Sequence, residues 1–323
     1  MNNTIDFTLP AQIIITIEGI FGTIFNIVAI TVVFTSQFGS KFTTFVFRAQ
    51  PIFDLSACFV TTIYYIIQFT KGYDKPTGLY IIDIILCHFW FQNSLFWLPC
   101  ILSVQNLVCI SLDRVSSVIF LRSLKSYTKK FFIIYFVYMV SMVLILYIPT
   151  PLLRRYTDNR CVMDFSVQWI DTNAFVEYFV YSWVIFAYCV PVLVMLISHA
   201  WVIHTLRGHN SSCHFLSRDM QSNLQIKRRI SQLVITTSIL SIQQTVLHFF
   251  ECISQILEVT GIFRYSFDSP IEQMSTLLIL LGYMSNPCIL VFSTAVLRRR
   301  LSLLLKSLTE KITNITIIKL YSN

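Results

Sequence analysis

The sequence predicts an all-α integral membrane protein built on seven spanning helices, and three observations point to it. Hydrophobic residues fill 55% of the 323 positions and charged residues only 12%, with a mean hydropathy of +0.67. A soluble domain of this length needs much less apolar surface for its core. The apolar residues gather into seven runs of spanning length, and the cations are sorted between alternate connections.

The first run, Ile13–Phe34, is uncharged apart from Glu18 near its start. The second, Phe45–Thr70, carries Arg48 near one end and an acid at membrane depth, Asp54. The third, Ile84–Ile110, continues the stretch CHFWFQNSLFWLPCILSVQNLVCISLDRV, which has no charge between Cys87 and the dipeptide Asp113-Arg114. Phe131–Leu152 and Ala174–Ile203 supply the fourth and fifth, the latter with Pro191. Gln243, Gln244, His248 and Glu251 interrupt the sixth, Ile230–Ile256, and Asn286-Pro287 closes the seventh, Ile271–Phe292. At 1.5 Å per residue each run is long enough to cross a bilayer as a helix.

Orientation follows from the loops, because cytoplasmic connections carry the excess of Lys and Arg. Eighteen of the 24 cations lie after the first, third and fifth runs or in the C-terminal tail, which predicts an extracellular N-terminus and a cytoplasmic C-terminus. The formal charge of +8 is therefore a topology signal, and nucleic acid is not an expected partner. Met1–Pro10 lacks the basic start of a cleavable signal. Asn2-Asn3-Thr4 is a glycosylation sequon on the predicted outer face, whereas the sequons at Asn210 and Asn314 fall on the cytoplasmic side. The expected parts are an extracellular segment 1–12, a spanning domain 13–292 and a cytoplasmic tail 293–323.

Most of the nine cysteines lie inside apolar helices, where a thiol is a small buried hydrophobe. Cys87 and Cys161 both face the oxidising side, and a bridge between them would pin the loop after the fourth run over the bundle mouth, with Cys252 as a competing partner. No metal-ligand spacing appears, and no nucleophile, base and orienting group converge, so an enzyme is not expected.

Seven runs, the outer cysteine pair and Asp113-Arg114 together resemble a rhodopsin-like G-protein-coupled receptor from about Ile13 to Leu308. Gly22 and Asn26, Asp54, Ser103, Leu107, Ile110, Pro191 and Asn286-Pro287 fall where that family carries its motifs. The segment VLRRRLSLLLKSL is similar to the family's short amphipathic eighth helix, which lies along the inner leaflet and contacts membrane lipids. RAQPIFDLSACF and LFWLPCILSVQNLVCISLDR further resemble a flatworm-specific group of orphan receptors with peptide-receptor character. The resemblance implies that Asp113 and Arg114 face a heterotrimeric G protein. It also implies an ion or activation network of Asn26, Asp54, Ser103, Asn286 and Pro287, with a sodium ion held at Asp54. Three tyrosines usual in the family are missing, since Val115, His199 and Leu290 stand in their places, and the sixth run has no aromatic-Pro toggle. His199 is expected to be an interfacial residue hydrogen-bonded to backbone or water, with a part in a different inner network as the alternative.

Ligand class is narrowed by what such a receptor would need. Phe96 stands where an amine receptor carries an acid, and TLLILLGYM has no lysine for a Schiff base. The mouth is rich in aromatics, and twelve acids face six cations on the outer side. A short cationic neuropeptide is therefore expected, contacting Phe96, Trp97 and His248 and anchored by Glu177 and Glu251. The alternatives are a seven-helix transporter or channel and a non-signalling membrane scaffold.

Overall fold

The computed structural model describes residues 8–38, 40–69, 77–119, 124–163, 172–208, 220–262 and 269–321. Seven helices in it are long and apolar enough to cross a membrane. We label the helices α1 (Thr8–Phe34), α2 (Lys41–Phe69), α3 (Ser94–Ile119), α4 (Leu124–Leu146), α5 (Thr172–Trp183, continued as Val190–Gly208), α6 (Met220–Val259), α7 (Pro270–Ser293) and α8 (Ala295–Tyr321). The third span is the centre of the bundle: 72% of its apolar window is buried, against 22% for the fourth. It packs on α2, α4, α5 and α6, while α1 lies between α2 and α7.

Local sequence sets the helix starts. Ser40 caps α2 by accepting the Thr43 N–H at 3.0 Å. Ser269 does the same for Glu272 at the start of α7, where Pro270 occupies the first turn. Gly22 lets α1 close on α2, since a Cβ there would stand 2.5 Å from Cys58 Sγ. Large apolar side chains such as Ile133, Ile134 and Val137 point away from the bundle, as lipid contact requires.

Two internal prolines leave backbone carbonyls open, and an amide from a neighbouring helix fills each one. Pro287 cannot donate to Tyr283 O one turn back, and Asn26 Nδ2 takes that carbonyl at 3.1 Å while also bonding Gly22 O. In α5 the segment Val184–Cys189 is a π-turn, with Val190 N–H bonding Ile185 O. Pro191 then has no N–H for Phe186 O, which Gln105 Nε2 reaches from α3 at 2.9 Å.

The third span departs from the uninterrupted helix expected over Ile84–Ile110. After Tyr80–Ile85 it passes through a π-turn, Leu86–Trp90, and a 3₁₀ turn, Phe91–Asn93, before α3 begins. Gln92 and Asn93 adopt left-handed φ values of 54° and 51°, so the chain kinks there. A hairpin holds the kink. Strands β1 (Arg154–Thr157) and β2 (Arg160–Met163) pair through a turn whose Asp158 and Asn159 both have positive φ, as a type I′ turn requires. The hairpin is joined to the kink by the Cys87–Cys161 disulfide. Arg154 Nη1 donates to His88 O at 3.1 Å, and Tyr156 Oη donates to Asp83 at 3.1 Å. Desolvation and that bond to Asp83 push the Tyr156 phenol above its ordinary value.

Helix α8 corrects a second expectation, because it is not short: it runs 27 residues to Tyr321. An extended Thr294 separates it from α7. Leu297 is buried, Leu301 and Leu304 pack on the core, and Arg298, Arg299 and Arg300 are exposed, so the first turns are amphipathic.

Candidate functional site

At the end of the bundle opposite the disulfide, Asp113 and Arg114 form an ion pair that is almost wholly buried, with 7% and 3% exposure. The burial is made tolerable by α2, where Thr43 Oγ1 donates to the Asp113 carboxylate at 2.9 Å and accepts from Arg114 Nη2 at 3.1 Å. The guanidinium also lies 5.5 Å from the centre of the Phe47 ring. One turn deeper, His199 of α5 is buried between α3 and α6, with Nε2 at 3.2 Å from Ser111 Oγ and 3.1 Å from Ser241 Oγ. It thus links three helices from one of the three positions where a tyrosine is missing.

Midway along the bundle, Asp54 is 1% exposed. Its Oδ1 accepts from Ser103 Oγ at 2.6 Å and from Gln50 Nε2 at 3.1 Å, and its Oδ2 accepts from Asn286 Nδ2 at 3.0 Å. Gln50 Oε1 in turn accepts from Asn106 Nδ2 at 2.8 Å, and Asn106 Oδ1 accepts from Tyr135 Oη at 3.1 Å. From α6, Gln243 Nε2 donates to Gly282 O at 3.0 Å, Ser285 Oγ at 2.7 Å and Asn286 Oδ1 at 3.3 Å.

Toward the disulfide end two neighbouring cavities open. The smaller, about 20 Å³, is lined by Trp97, Trp183, Tyr188, His248 and Glu251 among others. The larger, about 250 Å³, shares Trp97 and Trp183 and adds Gln92, Arg154, Glu258 and Glu272. The two indoles meet edge to face at 5.4 Å and form the common wall. Glu251 is 2% exposed and accepts from Gln255 Nε2 at 2.7 Å. His248 hydrogen-bonds Gln244 and stands 3.4 Å from Tyr283 Oη. The site therefore has a buried carboxylate and an imidazole at the foot of an aromatic-walled opening.

Residues 25–289 match the family model of the 7 transmembrane receptor (rhodopsin family), most of the chain. The chain belongs to the rhodopsin family of receptors. It is a multi-pass membrane protein of a family of signalling receptors. No curated protein matches it.

In this receptor Asp54, Ser103 and Asn286 of the expected mid-bundle set are hydrogen-bonded together, while Asn26 bonds Gly22 O and the Tyr283 carbonyl one turn before Pro287. Cys87 and Cys161 are bridged, and Cys252, the competing partner, is a buried free thiol. Among the five residues expected at the ligand, Trp97, His248 and Glu251 line the cavities. Phe96 does not: it is fully buried in the core behind Trp97, with the rings 5.1 Å apart. Glu177 does not either, since it is exposed at the outer turn of α5 and lines neither cavity. Asn2 lies outside the described residues. Sequence reasoning missed Gln50, Gln105, Asn106 and Thr43 of the receptor's polar interior. The signal available was a neutral amide or hydroxyl inside an apolar run, which a membrane helix carries at a cost unless it has a partner.

Proposed function

We propose that the receptor lies in the plasma membrane with its N-terminus outside, binds a short cationic peptide in the Trp97–Trp183 cavities, and activates a heterotrimeric G protein through the Asp113–Arg114 end. The orientation rests on the cation bias between the loops. The ligand reading rests on one observation: Glu251 is a buried carboxylate beside the shared Trp97–Trp183 wall, with Glu258 and Glu272 in the adjoining cavity. A guanidinium or ammonium entering there meets both a desolvated acid and ring faces, and is selected over a neutral group. Glu177 has no part in this anchor. The eighth helix lays its Leu297 and Leu301 side against the bundle and its arginines toward anionic lipid.

The test is a screen of cationic peptides on cells expressing the chain, read by nucleotide exchange, followed by Glu251→Gln. Losing a buried charge partner costs about 2–5 kcal/mol, so potency should fall roughly 30-fold or more for the cationic peptide and little for a neutral analogue. Equal potency of both peptides on the variant and the parent, or activation only by anionic or lipid ligands, would overturn the reading. Substrate flux in proteoliposomes without nucleotide exchange would favour a transporter.

A further inference from the structure

The groups around Asp54 do not suit the sodium ion expected there. A hard cation is held by oxygen lone pairs turned toward it. Every side chain hydrogen-bonded to this carboxylate offers it a proton instead: Gln50 an N–H, Ser103 an O–H and Asn286 an N–H. Gln50 Nε2 sits 3.1 Å from Asp54 Oδ1 and 2.7 Å from Ser103 Oγ, so both of its protons are spent within the pocket.

The direction of the Gln50 amide is set by a backbone carbonyl that cannot change roles. Val46 O accepts from Asn106 Nδ2 at 2.9 Å, which fixes the Asn106 nitrogen. That nitrogen also donates to Gln50 Oε1, which leaves the Gln50 nitrogen facing Asp54. From the other side, the two protons of Gln243 Nε2 go to Gly282 O and Ser285 Oγ, with Asn286 Oδ1 a longer 3.3 Å neighbour, and the Asn286 nitrogen is oriented by Asp54 itself. Reversing Gln50 would set its oxygen against the carboxylate and its nitrogen against that of Asn106, losing three hydrogen bonds together.

We infer that the Gln50 amide occupies the place of a cation, so that α2, α3 and α7 are tied at Asp54 by hydrogen bonds alone and the pocket takes no sodium. Gln50 is a positioning residue that acts through Asp54. Its loss leaves Asp54, Ser103 and a vacated volume among oxygen lone pairs, a set that a sodium ion can use.

Thermal melting of the full chain in detergent tests this, with sodium chloride titrated against N-methylglucamine chloride at constant ionic strength. Neither agonist nor G protein enters the measurement, so its outcome is separate from that of the receptor reading. Wild type should show no saturable sodium-specific rise in melting temperature, and Gln50→Ala should acquire one. A saturable rise in wild type that disappears in Asp54→Asn overturns the inference, as does a folded Gln50→Ala that stays insensitive. A wild-type rise that persists in Asp54→Asn arises elsewhere on the protein and leaves the inference standing. If Gln50→Ala does not fold, the wild-type and Asp54→Asn titrations decide alone.

Discussion

Replacing Asn26 by Ala should destabilise the bundle by about 1–2 kcal/mol, and most of that cost should disappear when Pro287 is replaced as well. Asn26 Nδ2 bonds Gly22 O at 2.9 Å and Tyr283 O at 3.1 Å. The two carbonyls are not equivalent. Tyr283 O lies one turn before Pro287, which has no N–H to give it, so removing Asn26 strands a polar atom in a dry interior. An interhelical hydrogen bond inside a membrane averages about 0.6 kcal/mol, and an unsatisfied buried acceptor costs about 1–3 kcal/mol, which brackets the expected loss. Pro287→Ala restores an N–H for the intrahelical bond to Tyr283 O, and in that background the amide of Asn26 has less to do. Melting temperatures of wild type, both single variants and the double variant form a cycle, with Asn26→Ala alone lowering the midpoint by roughly 2–4 °C. If the two substitutions prove additive, Asn26 is not compensating for the proline, and the pairing of α1 with α7 has another basis.

Three further outcomes are expected. Cys87→Ala and Cys161→Ala should each lower the yield of folded protein at the cell surface, with no further loss in the double variant, since either alone opens the same bridge; surface labelling checks this, and additive losses would refute it. Arg114→Ala should suppress agonist-driven nucleotide exchange and spare peptide binding, because Arg114 and Glu251 lie at opposite ends of the bundle; equal loss of both would sink the assignment. His199→Phe removes the link to Ser241 that ties α5 to α6, worth about 0.5–1.5 kcal/mol, so basal exchange should rise roughly 2- to 10-fold with agonist affinity little changed.

The seven spans were legible because a bilayer demands length and apolarity of any helix that crosses it, and those are properties of the sequence alone. The disulfide pair was legible because both cysteines face the oxidising side, and the Asn26, Asp54 and Asn286 set through the family resemblance, with Asp54 also marked by the need of an acid at membrane depth for partners. What could not be read is the rotation of each helix about its axis. Glu177 and Glu251 look alike in sequence, as acids near the outer ends of helices, yet one turns to solvent and the other to the cavity. Gln50 and Gln105 are each one amide in an apolar run, and nothing local says that the first meets a carboxylate and the second a carbonyl opened by Pro191. The kink at Gln92 and Asn93 has neither Gly nor Pro to announce it, and depends on a hairpin some 60 residues later in the chain.

The polar residues that interrupt α6 account for how a helix without an aromatic-Pro toggle can still be coupled to its neighbours. Gln243, Gln244, His248 and Glu251 recur at helical spacing and face inward. Glu251 and His248 meet the cavity, His248 approaches Tyr283 of α7, and Gln243 holds Gly282, Ser285 and Asn286 of the same helix. His199 bonds Ser241 two residues away from Gln243. An outward swing of α6 at the Arg114 end must therefore break the His199 bond and strain those of Gln243. The Gln243 amide has two protons for its three acceptors, so with the His199 bond at most three bonds count, and at about 0.6 kcal/mol each they hold the closed form by roughly 2 kcal/mol. A ligand that binds the open form about 30-fold more tightly supplies that difference. If α6 swings in this way, a charge pair formed at Glu251 acts directly on the moving helix, without a toggle to pass the displacement on.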